Sequence, residues 1–370
     1  MKRLTPLLLL FACGSDPAPV APDPFASLEA SLTQQMRDAG IVGMAAARIT
    51  NGEVAWTKPF GFADYEARKQ VTVDTPFMIA SISKTFVSIV LAKTATDLDA
   101  PIDAAFGGPM RDPDAPDTVI TPRMLATHTS GLIDDWITLG AESTEGDHPG
   151  TLESFARDYW TAAHFGNAPG TRRTYSNAGF GVLGAFVELA AHETLPALTA
   201  RHILEPLHMT ESGWHLSDFD ESTLAVPYNG ALNDGLIRYK HEGYRFYSAT
   251  SMRTSIRDLA VFLATVTRRG VAPDGTRIYD EAIATKFETV QLPALDEDQA
   301  LVWYYETING KKYLGHTGSA LGFSALMFFD PATKNGAILI TNSDLFIRGR
   351  LGDREISKVL YTMTGEILEY

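Results

Sequence analysis

Asn51-Gly52 lies between two runs of strand character, Ile41 to Thr50 and Glu53 to Phe60. Both residues tolerate positive φ, so the pair specifies a two-residue hairpin and an antiparallel sheet from the start of the chain. Near the other end, Phe323 to Phe329 and Ala337 to Thr341 flank the turn-forming stretch Asp330-Pro331-Ala332-Thr333-Lys334-Asn335-Gly336, a second hairpin. Phe25, Leu28, Leu32 and Met36 recur at helical spacing ahead of Gly40, and a last helix carries Ile356, Val359, Leu360 and Met363. A helix and a hairpin at each end imply one antiparallel sheet completed by both termini, with the terminal helices covering one face. The stretch between them is then an insertion. From about residue 81 to 227 it reads as helix and loop, with helical apolar spacing at Tyr175 to Leu189 and at Leu198 to Leu204, just after Pro196. The expected fold is α/β (α+β): an antiparallel sheet from about 25–80 and 228–370, helices on both faces, and an inserted, mostly helical subdomain at about 81–227. With 370 residues and 45% hydrophobic content, the chain can bury a large core.

The first 12 residues pair a basic start, Met1-Lys2-Arg3, with a short apolar run, Leu7-Leu8-Leu9-Leu10-Phe11-Ala12, as in a secretory signal peptide. The run is too short to span a bilayer. Cys13 follows directly and is the only cysteine, so no disulfide forms within the chain. Leu10-Phe11-Ala12-Cys13 resembles the lipobox of bacterial lipoproteins, which makes Cys13 a lipid acceptor and the bilayer a partner. Residues 13–24 are proline-rich and read as an extended tether, with the folded domain at 25–370. The expected location is the periplasmic side of a membrane, after export across the inner membrane. A formal net charge of -14 without a basic run argues against nucleic acid.

Ser81-Ile82-Ser83-Lys84 sets a hydroxyl and an amine three residues apart, on one face of a helix's first turn. The residues that follow, Thr85 to Ala92, are apolar nearly all round, so the helix is expected to be buried. Burial matters chemically, because a lysine activates a serine only where desolvation or a nearby cation lowers its pKa. A helix start also offers backbone N–H groups, that of Ser81 among them, to an oxyanion. The motif alone is short enough to arise by chance, so it needs partners. Tyr175-Ser176-Asn177, after the turn Asn167-Ala168-Pro169-Gly170-Thr171, supplies a phenol and an amide at a helix start. Of four H-x-G triplets, only His316-Thr317-Gly318 follows a strand signal, Lys312-Tyr313-Leu314-Gly315, and precedes a hairpin. Gly318 there would let a substrate approach the backbone closely.

These three motifs, in this order and widely spaced, resemble those of the class C β-lactamase and D-Ala-D-Ala peptidase family, which includes esterases. Segments such as Leu125-Ala126-Thr127-His128-Thr129-Ser130-Gly131-Leu132 and Pro206-Leu207-His208-Met209-Thr210 extend the resemblance over most of residues 25 to 370. It implies a β-lactamase/transpeptidase-like fold and a serine hydrolase acting through an acyl-enzyme on a small-molecule or peptide substrate. Ser81 would be acylated, Lys84 and Tyr175 would share base and shuttle duty, and Asn177 would orient Lys84 and a substrate amide. His316, Thr317 and Gly318 would face the substrate, and Ser319 would give the second oxyanion-hole N–H. His316 stands where class C β-lactamases carry lysine, so a permanent cation facing a carboxylate is missing there. A neutral His316 would donate at most one hydrogen bond to that carboxylate. This ranks an esterase or amidase first, a D-Ala-D-Ala-type peptidase second and an efficient β-lactamase third. Ser248-Ala249-Thr250-Ser251-Met252 and Leu301-Val302-Trp303 lack glycines usual in the family. The pocket walls are expected from about 130–165 and 215–250.

No G-x-S-x-G pentapeptide occurs, which speaks against a nucleophile elbow and leaves His128 a structural part in a loop near the cleft. The nine histidines form no H-E-x-x-H or H-x-H pair, so neither a metal nor another cofactor is implied. The alternative of another class is a lipoprotein of the same fold that binds cell-wall peptides without turnover. The intact Ser81, Lys84 and Tyr175 weigh against it.

Overall fold

A computed structural model describes residues 23–95, 97–229, 232, 235–347 and 354–370. The signal segment, Cys13 and nearly all of the tether lie outside the described residues. Seven strands form the main sheet: β1 (Gly43–Thr50), β2 (Glu53–Asp64), β3 (Lys69–Gln70), β4 (Tyr304–Ile308), β5 (Lys311–Ala320), β6 (Phe323–Asp330) and β7 (Asn335–Thr341). Their spatial order is β4-β5-β6-β7-β1-β2-β3, every neighbouring pair antiparallel. The two ends of the chain therefore meet at the β1–β7 pair, where Ala45 lies opposite Ile340.

The first hairpin closes as expected. Thr50 pairs with Glu53, and the two loop residues have φ of 52° and 82°. The second is closed by Asp330, which lies opposite Asn335; the Asp330 carboxylate receives the Ala332 N–H and the Thr333 hydroxyl. Helix α1 (Ala26–Asp38) and helix α6 (Arg354–Glu369) lie on one face. Leu28, Leu32, Leu360, Met363 and Ile367 pack there against Met44, Ala46, Leu326, Phe328 and Leu339. The alternate residues Ala45, Ala47, Ala325, Met327 and Ile340 point to the opposite face. Helix α5 (Ile256–Thr267) and helix α2 (Ser83–Thr94) belong to the core on that side, with the rings of Phe262 and Phe86 stacked at 4.1 Å. Burial on both faces explains why β6 is apolar without alternation.

Between α2 and α5 come a short helix α3 (Trp136–Ala141) and the long helix α4 (Asn177–Ala191). Pro196 sits in the first turn of a helix Leu195–Thr199 that runs on as a π-helical turn from Ala200 to Leu204. Ser83 to Leu91 in α2 are all buried, as the apolar run predicts.

Candidate active site

The turn that carries Ser81 is held from two sides. The short strand Phe77–Met78 pairs with Arg253–Thr254, and the Ile79 N–H donates to the Met252 carbonyl at 3.0 Å. In return the Met252 N–H donates to Ser83 Oγ at 3.0 Å. Ala80 is forced to φ 47°, a conformation that costs a non-glycine residue about 1–2 kcal/mol and persists only where its surroundings dictate it. Ser81 therefore lies in a 3₁₀ turn, Ala80–Ile82, and α2 proper starts at Ser83, slightly later than the spacing suggests. On the other side stands β5. A Cβ on Gly318 would lie 2.2 Å from the Ile79 carbonyl oxygen. The glycine thus serves the approach of the Ser81 turn to the strand.

Lys84 is 0% exposed. Its Nζ lies 2.9 Å from Ser81 Oγ, 2.8 Å from Asn177 Oδ1 and 2.7 Å from the Ala249 carbonyl oxygen. Burial lowers its pKa to about 7, while the Asp134 carboxylate acts in the opposite direction. As ammonium it donates three bonds. As a neutral amine it still donates to the two carbonyl oxygens and presents a lone pair to Ser81. The Tyr175 hydroxyl donates to Ser81 Oγ at 2.8 Å from the other side. Burial pushes that phenol well above the ordinary tyrosine range, so it stays protonated.

Asn177 is the first residue of α4, whose N-cap is Ser176, its Oγ receiving the Gly179 N–H at 2.8 Å. Sequence reasoning missed the residue that orients it, Asp134. Its carboxylate receives Asn177 Nδ2 at 2.8 Å, the Ala178 N–H at 3.0 Å and Ser176 Oγ at 3.2 Å. With Nδ2 committed, Oδ1 must face Lys84. His128 takes the structural part expected of it: Nδ1 receives the Ser176 N–H at 3.1 Å, and its ring lies 4.2 Å from that of Tyr175.

His316, Thr317, Gly318 and Ser319 are consecutive on β5. His316 is 1% exposed, and burial, reinforced by the Lys84 charge, pulls its pKa down to about 3. The imidazole is neutral. Its Nδ1 is 2.6 Å from the Thr317 carbonyl oxygen, an acceptor, which assigns the proton to Nδ1 and leaves Nε2 a buried acceptor without a protein partner among the described residues. The sequence expectation that His316 donates to a substrate carboxylate is thereby corrected. Thr317 is tied to Tyr304, a residue not foreseen, through Oγ1 at 2.8 Å and through its N–H at 3.1 Å.

These groups open on a cavity of about 690 Å³ lined by Ser81, Tyr175, Asn177, His316, Thr317 and Ser319. Its walls add Trp136, Leu139 and Ser143 from the first expected stretch and Glu242, Tyr244, Phe246 and Thr250 from the second. Arg173, Tyr304, Ala320, Leu321 and Ile347 line it from outside either stretch. Among the described residues no group of His, Cys, Asp and Glu is arranged to hold a metal ion. A hydroxyl between a depressed lysine and a protonated phenol, at the floor of a cleft, can accept an acyl group and pass its proton on.

An antiparallel sheet between helical layers, with a serine-lysine pair at the head of a buried helix and a tyrosine opposite, defines the β-lactamase/transpeptidase-like class. The Beta-lactamase family model matches residues 28–359, and the chain belongs to that family. Among curated relatives, the esterase EstB of Burkholderia gladioli is 32% identical over 220 residues, 55% of this chain and 54% of that protein. A D-aminopeptidase of Cereibacter sphaeroides is 26% identical over 311 residues, 82% and 57% of the two chains. This chain thus matches just over half the length of each. The D-amino acid amidase of Ochrobactrum anthropi SV3 superposes with a TM-score of 0.75 at 22% identity, over 93% of this chain and 98% of that one. The octameric penicillin-binding protein homologue of Pyrococcus abyssi gives 0.70 at 22%, over 89% and 77%. At these identities the two structures establish the shared fold.

Proposed function

We propose that this protein is a serine hydrolase that cleaves esters or amides through an acyl-enzyme on Ser81. The observation that carries the reading is Ser81 Oγ between Lys84 Nζ at 2.9 Å and the Tyr175 hydroxyl at 2.8 Å, at the base of the cavity. Neutral Lys84 takes the Ser81 proton as Oγ bonds to the carbonyl carbon. Tyr175 relays a proton to the departing oxygen or nitrogen and is resupplied from Lys84. The same groups then activate water, which releases the acid and restores Ser81. Lys84 acts as the first base because its pKa lies near neutrality while that of Tyr175 is raised. Backbone N–H groups of Ser81 and Ser319 take the oxyanion, a role carried over from the family pattern. Asn177, held by Asp134, positions Lys84 and a substrate amide.

The walls favour a substrate with an apolar body, since Trp136, Leu139, Phe246, Leu321 and Ile347 line them. The relatives point the same way: one is named an esterase and others a D-aminopeptidase and a D-amino acid amidase. Attachment through a lipid on Cys13, with the domain on the periplasmic side of a membrane, belongs to the same proposal. It rests on the order of basic, apolar and cysteine residues at the N-terminus. Among the described residues no helix is long and apolar enough to cross a membrane.

The test is labelling by a fluorophosphonate together with turnover of a p-nitrophenyl ester, a D-amino acid amide and a chromogenic cephalosporin. Labelling should vanish in Ser81→Ala, and the ester or amide should be turned over faster than the cephalosporin. Labelling of Ser81→Ala at the wild-type rate would overturn the assignment of the nucleophile.

A further inference from the structure

We infer that Arg173 forms an anion subsite in the wall of the cavity and selects substrates that carry a carboxylate. This deepens the hydrolase reading, because it concerns the substrate of the same cleft. Arg173 lies two residues before Tyr175 and lines the cavity that contains Ser81. The intervening residue is pinned, its N–H donating to the His128 carbonyl at 2.8 Å, so the guanidinium is carried at a set position from the reacting centre.

The guanidinium is held from behind. Its Nε and Nη2 donate to Gln299 Oε1 at 3.0 and 2.8 Å, and Asp296 Oδ2 lies 3.4 Å from Nε. Gln299 is only 3% exposed, and its amide has one allowed orientation. Nε2 faces three carbonyl oxygens, those of Ala300 at 2.9 Å, Trp303 at 3.2 Å and Val302 at 3.4 Å, so Oε1 must point at the arginine. The turn that gathers those carbonyls is strained: Val302, β-branched, has φ 71°, a region that favours glycine. Backbone strain retained in a buried turn suggests a function that requires the turn's shape.

What remains of the guanidinium is its outer edge, the two N–H bonds of Nη1 and one of Nη2, for which the structure shows no acceptor among the described residues. A planar fork of parallel donors matches a carboxylate. Among the described residues that line the cavity, no other carries a permanent positive charge. The three donor contacts of Lys84 are occupied, His316 Nε2 is an acceptor, and Glu242 accepts from the Tyr244 hydroxyl at 2.8 Å. Asp296 offsets part of the charge from the Nε side: its Oδ1 accepts the N–H groups of Asp298 and Gln299, and its Oδ2 faces Nε, away from the outer edge. The Arg173 charge reaches the centre as well, and is one of the causes holding His316 neutral. A permanent cation, absent from the position of His316, thus reaches the cleft from the loop that leads into α4.

The test measures binding apart from turnover. In Ser81→Ala, titration calorimetry compares two matched pairs of esters. In one the carboxylate is on the leaving group, 3-carboxyphenyl against 3-carbamoylphenyl phenylacetate. In the other it is on the acyl group, phenyl hydrogen glutarate against phenyl glutaramate. In at least one pair the anion should bind roughly tenfold tighter than the amide. That preference should disappear in Ser81→Ala/Arg173→Gln, survive in part with Arg173→Lys, and weaken as salt is raised. The double variants' melting temperatures check that they are folded. No preference in either pair, or a preference that outlasts Arg173→Gln in a folded protein, overturns the subsite. Absence of Ser81-dependent turnover in the wild type would count instead against the hydrolase reading.

Discussion

Lys84 is the residue on which the proposed chemistry turns, and its pKa is a balance between two causes. Burial disfavours the ammonium, and Asp134 favours it. In the proposed mechanism the neutral amine is the base, so kcat/KM for a neutral ester should fall as pH drops through about 7, following protonation of Lys84. Asp134→Asn removes the charge that stabilises the ammonium, so the pKa should fall further and the acid limb move to lower pH. The substitution also weakens an acceptor at the start of α4 and should cost roughly 1 kcal/mol of stability. A pH profile whose limb stays in place or moves upward in a folded Asp134→Asn protein would contradict this account. His316 should contribute no limb between pH 5 and 8, since its burial keeps it neutral throughout.

At the scale of elements, the site is a junction between a turn and a strand. The Ser81 turn, the head of α2 and β5 meet where Gly318 leaves no room for a side chain. Gly318→Ala should therefore cost about 1–3 kcal/mol and slow fluorophosphonate labelling, because either the turn or the strand must shift. Gly140 supplies the contrast. It lies in α3 with nothing within 4 Å of an added Cβ, so Gly140→Ala should leave stability unchanged or raise it by about 0.5–1 kcal/mol. Melting temperatures of the two variants measured side by side check both statements. Equal effects would mean that the contact with Ile79 does not constrain the turn.

For the whole molecule, the decisive feature is that a sheet built from both ends of the chain needs covering on both faces. The terminal helices cover one, and Met363 on α6 is fully buried there. Met363→Ala should cost about 2–5 kcal/mol, read from denaturant unfolding, although it lies on the face opposite α2, the helix that carries Lys84. An effect below about 0.5 kcal/mol, the range of surface substitutions, would argue against this packing. The N-terminal segment makes a separate prediction. With the proposed lipid on Cys13, Cys13→Ser should release the protein from the membrane fraction without changing hydrolysis by the domain, because the proline-rich sequence expected to act as a tether would separate lipid from fold. Retention in the membrane fraction would refute lipidation at that residue.

The chain's own periodicities and turn signals determined much of this. Asn51-Gly52 dictates its hairpin because few residue pairs accept two positive φ values, and the apolar run after Lys84 dictates a buried helix. Three local motifs, Ser81 to Lys84, Tyr175 to Asn177 and His316 to Gly318, were legible because their spacing along the chain is short. Asp134, Tyr304, Gln299 and Arg173 were not. Each is an ordinary polar residue in sequence and acquires its role from partners 43, 13, 126 and 126 positions away. The protonation of His316 was equally hidden, since it depends on burial and on the nearby Lys84 charge rather than on its own motif. Local sequence can specify which backbone conformations are accessible, whereas the position of charges across a cleft is decided only when distant segments are packed together and water is removed from between them.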